Sequence, residues 1–403
     1  MKILVLNAGS SSQKSCLYDI KSLDNIIFPP SPLWEATIDW TVSSNYGLLK
    51  VEANDNKITL ELPMSYRQMG INTMLNTLKE GETKVINDFS DISVVGHRVV
   101  HGGNKFSQAI LITEEVKQTI RDLISLAPNH NPAHLEGIES IEKINKDIPQ
   151  VAVFDTAFHR TIPDYGKIYP IPYEYYEKGI QRYGFHGISH EYVAQRTAEI
   201  LNPTLDSLKL ITCHLGNGCS ITAVKDGVSV NTSMGFTPLE GVMMGTRSGS
   251  IDPAIVTYLM REYGYDGAKI DKILNKESGL WGISEISGDL RTVLEEMEKG
   301  DIKAKLAVEI YINRIQEVIC SMLPSLGGLD GLVFTAGVGE NSAFIREKIC
   351  EKLGFLGLKL DTEKNNQFCR DKDIATDDSA VRILVVHTQE DWSIAKQCFG
   401  ILH

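Results

Sequence analysis

Residues 208–228, LKLITCHLGNGCSITAVKDGV, combine an apolar strand, a turn of small residues and a second strand. Residues 2–20, KILVLNAGSSSQKSCLYDI, show the same order, with LNAGSS in the place of LGNGCS. We interpret the two stretches as an internal duplication, although two ordinary hairpins in two α/β domains would give the same pattern. In both copies the backbone N–H groups of the turn could hold a phosphate.

Strands and helices alternate along the rest of the chain, which predicts an α/β fold. Residues 21–66 carry β-type segments that predict an antiparallel extension of the first sheet. Helical periodicity at residues 67–80 and 114–125 predicts two helices, with a strand beginning in SVVGHRVVHGG between them. A further strand is expected to end at Asp155, and VRILVVHTQEDWSIAKQCFGIL predicts a final strand and helix.

The chain of 403 residues exceeds the size at which one core usually divides, so we expect two domains. We predict a first domain of residues 1–150 to which a C-terminal helix at 391–403 returns, and a second domain of residues 151–390. The chain is 42% hydrophobic and 23% charged, as is ordinary for a globular protein with a buried core.

The formal net charge of −12 argues against nucleic acid or an anionic membrane as the main partner, because both require basic patches. Seven scattered cysteines without a C-x-x-C pair indicate free thiols in a reducing compartment. The apolar run in MKILVLNAG is too short for a signal peptide, and no later run is long enough to span a membrane. We therefore expect a cytoplasmic protein.

Two further stretches could carry chemistry. In LDGLVFTAGVGENSAFIREKICEKLG, residues 329–354, a strand, a glycine turn and a helix are expected, and Gly337 and Gly339 would admit a ligand against the backbone. In RYGFHGISH, residues 182–190, His186 and His190 stand i, i+4, which suits a zinc pair, a phosphate clamp or simple packing. The zinc interpretation lacks partners, since there is no cysteine cluster and no H-E-x-x-H motif.

Seven motifs in this order together resemble the acetokinase family: NAGSSSQK, GHRVVHGG, FDTAFH, RYGFHGISH, HLGNGCS, TSMGFTPLEGVMMGTRSG and FTAGVGENS. The resemblance implies a duplicated actin-like ATPase fold, that of acetate and sugar kinases, chaperones and actin, with two domains around a cleft and the nucleotide bound by the second. It also implies reversible, Mg²⁺-dependent transfer of the ATP γ-phosphoryl group to acetate, giving acetyl phosphate and ADP. Mn²⁺ could replace Mg²⁺, and family members are usually homodimers.

Acetate is ionised at neutral pH, so its oxygen needs no general base to attack phosphorus, and the protein has to position the reactants and neutralise charge. The guanidinium groups of Arg98 and Arg247 suit that task, and the resemblance implies that they bind the carboxylate and stabilise the phosphoryl group. By the same resemblance, Asp155 has a catalytic role beside magnesium, and His186 donates a hydrogen bond to the phosphoryl group. His190 is expected to be structural.

The remaining predicted site residues follow from the resemblance. Asn7 and Glu390 are expected at the metal, and Ser10, Ser12 and Lys14 in the first turn near the phosphates. The ATP phosphates are expected to pass His214, Asn217, Gly218 and Gly337, and the adenosine end to lie near Gly339, Glu340 and Asn341. The acetate methyl group is expected against Val100, Phe185 and Pro238.

Three positions depart from the family pattern. Asn129 in LAPNHNP stands where a leucine usually lines the methyl pocket, so a weaker fit for acetate, a different short acid or no effect are all open. Ser250 replaces a usual aspartate, and HTQED at 387–391 replaces a PTNEE-like run while keeping Glu390.

Three alternative functions remain at the sequence level. A propionate or butyrate kinase would use the same machinery with a different pocket. A sugar kinase or chaperone-type ATPase would share the fold, but a sugar hydroxyl calls for a catalytic base, and a chaperone carries a substrate-binding domain for which this length leaves no room. A nucleotide sensor would bind ATP without acetate-dependent release of ADP.

Overall fold

A computed structural model describes residues 1–9, 12–24, 26, 28–40, 42–43, 46–63, 67–128, 130–202, 204–367 and 370–403. Ser10 and Asn129, for which roles are expected above, lie outside these residues.

The strands of the described residues are β1 (Lys2–Ala8), β2 (Ser12–Asp19), β3 (Trp34–Asp39), β4 (Tyr46–Ala53), β5 (Asn56–Pro63), β6 (Val94–Val99), β7 (Ile110–Leu111), β8 (Gln150–Phe154), β9 (Lys209–Leu215), β10 (Cys219–Lys225), β11 (Val228–Thr232), β12 (Gly331–Thr335), β13 (Lys372–Asp373) and β14 (Arg382–Val385). The helices are α1 (Arg67–Asn76), α2 (Glu114–Asp122), α3 (Asn131–Ile144), α4 (Asp164–Lys167), α5 (Glu174–Glu177), α6 (Gly187–Leu201), α7 (Ala254–Tyr263), α8 (Gly267–Lys276), α9 (Gly279–Ser284), α10 (Leu290–Glu298), α11 (Ile302–Leu326), α12 (Ala336–Asn341), α13 (Ala343–Glu351), α14 (Thr362–Asn366) and α15 (Glu390–Leu402).

Two compact units make up the chain. One contains Met1–Ala157 together with Gln389–His403, and the other contains Phe158–Thr388. Helix α15 therefore belongs with the N-terminal residues, and it contacts β1, β2, β6 and β8.

Each unit is built on one sheet, and the two sheets share a pattern. The first sheet has the order β5-β4-β3-β2-β1-β6-β8-β7 and the second has the order β11-β10-β9-β12-β14-β13. Both contain an antiparallel run that ends in a hairpin, β3-β2-β1 or β11-β10-β9, followed by two parallel strands, β6 and β8 or β12 and β14. The matching order confirms the duplication predicted from the repeated hairpin.

In the first unit, apolar side chains alternate along the strands and cover both faces of the sheet. Helix α1 packs with β1 to β4 around Leu4, Leu49, Met74 and Leu75, all of them fully buried. Helix α15 covers β1 and β6, where a Cβ added to Gly96 would lie 2.6 Å from Ile394 and Cys398. Close contact between helix and strand therefore depends on this glycine.

In the second unit, helices contact both sides of the hairpin β9–β10. Helix α6 packs against β9 and β12, and α11 packs against β9, β10 and β11. Adjacent residues of β10 point to opposite faces of the sheet. Cys219 accordingly contacts Tyr311 of α11, and Ser220 contacts His190 of α6.

The predicted elements are present with small shifts of their bounds. The extension over 21–66 contains the antiparallel strands β3, β4 and β5, and the helices expected at 67–80 and 114–125 are the shorter α1 and α2. Strand β8 ends at Phe154, one residue before Asp155. The glycine turn expected after β12 is instead the short helix α12, which begins directly at Ala336.

No helix among the described residues is long and apolar enough to cross a membrane. The cysteines of the described residues are free thiols.

Candidate active site

In the first unit, three predicted residues meet where parallel strands end. Asn7 lies near the end of β1, Arg98 near the end of β6, and Asp155 directly after β8. Arg98 Nη2 donates to Asp155 Oδ2 at 2.6 Å and its Nε lies 3.1 Å from Oδ1, so the pair is bidentate. Arg98 Nη1 also donates to Asn7 Oδ1 at 3.2 Å. The guanidinium is thus held in a fixed orientation at this edge of the sheet.

The N-terminus of α15 adds carboxylates to the same group. Asn7 Nδ2 donates to Asp391 Oδ1 at 2.8 Å and lies 3.5 Å from Glu390 Oε2. Asp391 was not predicted as a site residue, whereas Glu390, its neighbour in HTQED, was predicted at the metal. In the sequence, Asp391 is marked only by being a second acidic residue directly after Glu390.

The charges in this group shift one another's pKa values. Burial would lower the pKa of Arg98, but the negative charges of Asp155, Glu390 and Asp391 raise it above its ordinary value, so it remains a cation. Burial and the charge of Glu390 raise the pKa of Asp391, while the hydrogen bond from Asn7 acts in the opposite direction. The side chains of Asp155, Glu390 and Asp391 place several carboxyl groups close together, and such a group suits the binding of a cation.

Oxygen donors in this cluster are of the type that Mg²⁺ binds. Mg²⁺ uses one or two carboxylates together with phosphate oxygens and waters. Glu390 and Asp391 offer carboxylates and Asn7 an amide oxygen, which here accepts from Arg98. Over the described ranges, no three His, Cys, Asp or Glu side chains form a metal-binding group, so an ion here would rely on its ligand for further donors.

The other predicted residues of the first unit differ in how far their side chains are exposed. Val100 follows β6 and is buried, with 4% of its surface exposed. Lys14 lies opposite Asn7 in the β1–β2 register and is exposed, and Ser12 begins β2 and is partly buried. The structure thus brings Asn7, Arg98, Asp155 and Glu390 together, with Lys14 on the neighbouring strand.

In the second unit, two predicted histidines stack. His186 immediately precedes α6 and His214 lies near the end of β9, with ring centroids 4.1 Å apart and planes 21° from parallel. His186 has φ +56°, in the left-handed region that non-glycine residues rarely adopt. Such strain is common at functional sites.

Gly218 brings a third predicted residue next to these rings. A Cβ added to Gly218 would lie 3.5 Å from His186 and 3.6 Å from Arg247 Nη1. Arg247 Nη1 donates to the Pro238 carbonyl oxygen at 2.8 Å. Among the described residues, Arg247 has no carboxylate in an ion pair, and burial lowers its pKa. A half-buried guanidinium without a counterion favours binding of an anion.

Serine hydroxyls hold both stacked histidines, and the sequence prediction did not include them. Ser220 Oγ lies 2.9 Å from His186 Nδ1 and 2.7 Å from His190 Nε2. Ser189 Oγ lies 2.8 Å from His214 Nδ1. His190, expected to be structural, is fully buried, and burial lowers its pKa well below the ordinary value, so its ring is neutral.

A cavity of about 740 Å³ opens within the second unit. Asn217, Gly337 and Asn341, which are predicted to bind ATP, line this cavity, and nothing lies within 4 Å of a Cβ added to Gly337. Its other walls, which the sequence prediction missed, include Leu280, Asp289, Leu290, Arg291, Leu294 and Tyr311. Apart from Asp289, which directly precedes α10, these residues lie on α9 to α11, where no motif marks them.

Glu340 organises the segment that begins α12. Its Oε1 accepts from the Ala336 amide at 2.9 Å, and its Oε2 lies 2.6 Å from His387 Nδ1. Burial raises the pKa of Glu340, but the stronger combined effect of His387 and the backbone donors lowers it. Ala336 has φ +64°, so this carboxylate stabilises a strained residue next to Gly337. Gly339 lies behind the cavity wall, against Phe334.

The remaining predictions of this unit concern the apolar pocket and its loop. Phe185 is buried, with 1% of its surface exposed, and its carbonyl oxygen lies 3.0 Å from His159 Nε2. Pro238 is partly buried. Ser250 accepts from the Gly241 amide at 3.0 Å, so it closes the loop that contains Arg247.

The chain is similar along its whole length to known kinases. Residues 2–396 match the Acetokinase family. The acetate kinase of Gloeothece citriformis is 59% identical over 399 residues, which span 99% of this chain and 98% of that protein. The crystal structure of Porphyromonas gingivalis acetate kinase is 40% identical, covers 100% of both chains and has a TM-score of 0.90. A propionate kinase structure from Francisella tularensis is 41% identical, covers 98% of both chains and has a TM-score of 0.89.

Proposed function

Because the chain belongs to the acetokinase family, we propose that it transfers the γ-phosphoryl group of ATP reversibly to acetate, giving acetyl phosphate and ADP. It is a phosphotransferase with a carboxyl group as acceptor. The observation that carries this function is the pair of stacked histidines beside Arg247, a half-buried guanidinium with no carboxylate paired to it among the described residues. Such an arrangement is suited to the charge on a phosphoryl group in transfer.

Direct in-line transfer requires positioning more than acid–base chemistry. The acetate oxygen attacks phosphorus, the bond to the β-phosphate oxygen breaks, and ADP leaves with that electron pair. Arg98, fixed by Asp155, binds the acetate carboxylate, and Arg247 neutralises the equatorial oxygens. His186 and His214 donate hydrogen bonds to the phosphoryl oxygens, and His186 therefore carries a proton on the nitrogen that faces them.

Asn7 and Glu390, with the neighbouring Asp391, are the residues that we assign to Mg²⁺, with Mn²⁺ as a substitute, and Asp155 has a catalytic role beside the ion. Their oxygen donors and their negative charge support this assignment. Bound with the nucleotide, Mg²⁺ supplies positive charge that offsets the phosphate oxygens.

We assign the nucleotide to the second unit. Its cavity is lined by Asn217, Gly337 and Asn341, and its volume of about 740 Å³ is sufficient for a nucleoside. His214 and Gly218 would contact the phosphates there, and Gly339 would shape the adenosine end. Ser12 and Lys14 of the hairpin β1–β2 are the further residues that we propose for the phosphates.

Val100, Phe185 and Pro238 are the walls that we assign to the acetate methyl group. The burial of Val100 and Phe185 supports an apolar pocket. A longer acid remains the second candidate, because the family includes a propionate kinase with 41% identity to this chain. A hydrophobic pocket discriminates one methylene by only about 1–3 kcal/mol, so the two substrates have to be compared directly.

We propose that the two units act as the two actin-like domains of the fold and that the enzyme works as a homodimer. Helix α7 supports a subunit contact, because its apolar residues Ile255, Tyr258, Met260 and Tyr263 are all exposed. The free thiols of the described cysteines support a cytoplasmic, reducing location.

Helix α7 offers a direct test of the dimer. Tyr258→Asp would place a charge on the apolar face and should shift the protein from dimer to monomer in light scattering after gel filtration. Glu309→Gln, an exposed change on α11, should leave the dimer intact. A Tyr258→Asp protein that remains fully dimeric would exclude this face as the contact.

The function is tested by trapping the acyl phosphate as a hydroxamate in the presence of Mg-ATP. We expect product with acetate, less with propionate and little with butyrate, and none when ATP or the divalent cation is omitted. ATP turnover without any dependence on a short acid would refute the proposal. The same acids tested on Asn129→Leu would show whether Asn129 affects the choice among them, and identical profiles would exclude it.

A further inference from the structure

One serine hydroxyl connects the two histidines of RYGFHGISH. Ser220 Oγ lies 2.9 Å from His186 Nδ1 and 2.7 Å from His190 Nε2, and on the far side of His190 its Nδ1 lies 2.7 Å from Thr212 Oγ1. Ser220, His190 and Thr212 are all fully buried, so water does not compete for these hydrogen bonds. The four side chains form one continuous chain of hydrogen bonds.

A serine hydroxyl has a single proton, which couples the tautomers of the two rings. If Ser220 donates to His186 Nδ1, then His186 carries its proton on Nε2 and His190 must donate to Ser220 from its own Nε2. Thr212 then donates to His190 Nδ1. In the opposite order, His186 donates from Nδ1 and its Nε2 presents a lone pair, while Thr212 donates to the Thr222 carbonyl oxygen 3.4 Å away.

For a His186 ring with one proton, only the first order suits a phosphoryl ligand. An anionic oxygen at His186 Nε2 is attracted by an N–H group and repelled by a lone pair. Burial lowers the pKa of His190, so its ring is neutral. One of its nitrogens therefore donates while the other accepts, and the ring links Ser220 to Thr212 without an added charge. The left-handed backbone of His186 and its stacking on His214 fix the ring plane, and Ser220 fixes which nitrogen bears the proton.

We propose that Ser220 is a positioning residue that holds His186 in the Nε2–H tautomer, with His190 and Thr212 as the chain of hydrogen bonds behind it. This inference rests on the proposed function, since it takes a phosphoryl oxygen as the ligand of His186. It changes the expected role of His190 from packing alone to orientation of the ring that donates to the ligand.

Three variants separate tautomer control from folding. Ser220→Ala removes the hydroxyl, and Ser220→Cys keeps nearly the same volume with a weak donor, so it preserves packing. Thr197→Val is the matched control, because its buried hydroxyl lies on α6, the helix that carries His190, and donates within the helix to the Val193 carbonyl oxygen at 2.8 Å. For Ser220→Ala and Ser220→Cys we expect kcat to fall roughly ten- to a hundred-fold, with KM for acetate and ATP within about two-fold.

The tautomer itself can be read by NMR on protein labelled with ¹⁵N-histidine, with the His186 signals assigned from their loss in His186→Gln. Wild-type and Thr197→Val proteins should show the Nε2–H form with Mg-ADP bound, and both Ser220 variants should show a mixture. The inference is overturned if folded Ser220→Cys keeps kcat within two-fold, if only KM changes, or if the tautomer is the same in every protein. Wild-type protein without acetate-dependent turnover would refute the proposed function, whereas the NMR comparison would still decide the role of Ser220.

Discussion

The two arginines are the same chemical group in different settings. Arg98 is neutralised by Asp155, and the pair is nearly enclosed, with 15% and 2% of the side-chain surfaces exposed. Arg247 has a carbonyl oxygen and a thioether as partners instead. We infer that Arg98 is an oriented donor whose charge is largely compensated, whereas the charge of Arg247 is available to the ligand.

Arg247→Ala should therefore lower kcat by about a thousand-fold or more, as expected for an arginine that stabilises phosphoryl transfer. Steady-state kinetics in both directions measures the effect. Arg247→Lys retains the charge without the planar fork and should recover only part of the rate. An Arg247→Ala enzyme that keeps a tenth of the wild-type turnover would remove this residue from the mechanism.

His186→Ala should lower kcat far more than it raises KM for ATP, because the proposed hydrogen bond strengthens as charge develops on the phosphoryl oxygens. Initial rates over a range of ATP concentrations separate the two constants. If KM for ATP rises while kcat is unchanged, His186 binds the ground state only.

The residues that we assign to the chemistry could be predicted from the sequence because each stands in a short motif. Asn7, Arg98, His186 and Arg247 are predicted in this way. Ser220 was not, since its role depends on two rings that β10 and α6 bring to it from a distance in sequence. Hydrogen-bond partners of this kind have no local pattern.

At the scale of elements, the segment after β12 shows what the sequence could not specify. Glycines predicted a turn, but Ala336–Asn341 is helical, because the Glu340 carboxylate accepts from the Ala336 amide at the start of this turn. His387, which forms a hydrogen bond with Glu340, follows strand β14 and is distant from Glu340 in sequence. In the sequence, His387 stands out only as part of HTQED, which departs from the family pattern.

Glu340→Gln should loosen this helix and thereby the cavity beside Gly337. Replacing a buried, charge-assisted hydrogen bond should cost about 1–3 kcal/mol of stability and raise KM for ATP more than it lowers kcat. Thermal unfolding and ATP kinetics measure both effects. Glu351→Gln is the control, because its ion pair with Lys348 is exposed and should contribute little. Equal behaviour of the two variants would contradict the role of Glu340.

At the scale of the whole molecule, buried histidines make the stability depend on pH. Burial lowers the pKa of His97, His101 and His159 from 6.5 to about 4, and it lowers the pKa of His134 and His190 well below 6.5. Below pH 6.5 the unfolded chain binds protons that the folded chain does not. The contribution of these residues to stability is therefore complete above pH 6.5 and is lost as the pH falls toward 4.

We expect each of these histidines to lower the free energy of unfolding by about 1 kcal/mol as the pH falls from 7 to 5.5. Urea unfolding at a series of pH values measures the slope, and His97→Gln should reduce it. A free energy of unfolding that does not change over this interval would contradict the neutral, buried state of these rings.

The fold as a whole could be predicted because the resemblance to the acetokinase family implies a duplicated fold, with which the repeated hairpin in the sequence agrees. The two hairpins and the parallel strands that follow them were recognisable, and the two sheets share one order. Helices α7 to α11 were not assigned, because they carry neither glycine turns nor family motifs. Residues of α9, α10 and α11 nevertheless provide part of the wall of the cavity in the second unit.

The central claim is that arginines and histidines position a single in-line transfer, without a covalent phosphohistidine at His186 or His214. ATP made chiral at the γ-phosphorus with oxygen isotopes tests it directly, because each in-line displacement inverts the configuration. We predict inversion in the acetyl phosphate formed from acetate. Retention of configuration would require two displacements through a phosphorylated enzyme and would contradict the account.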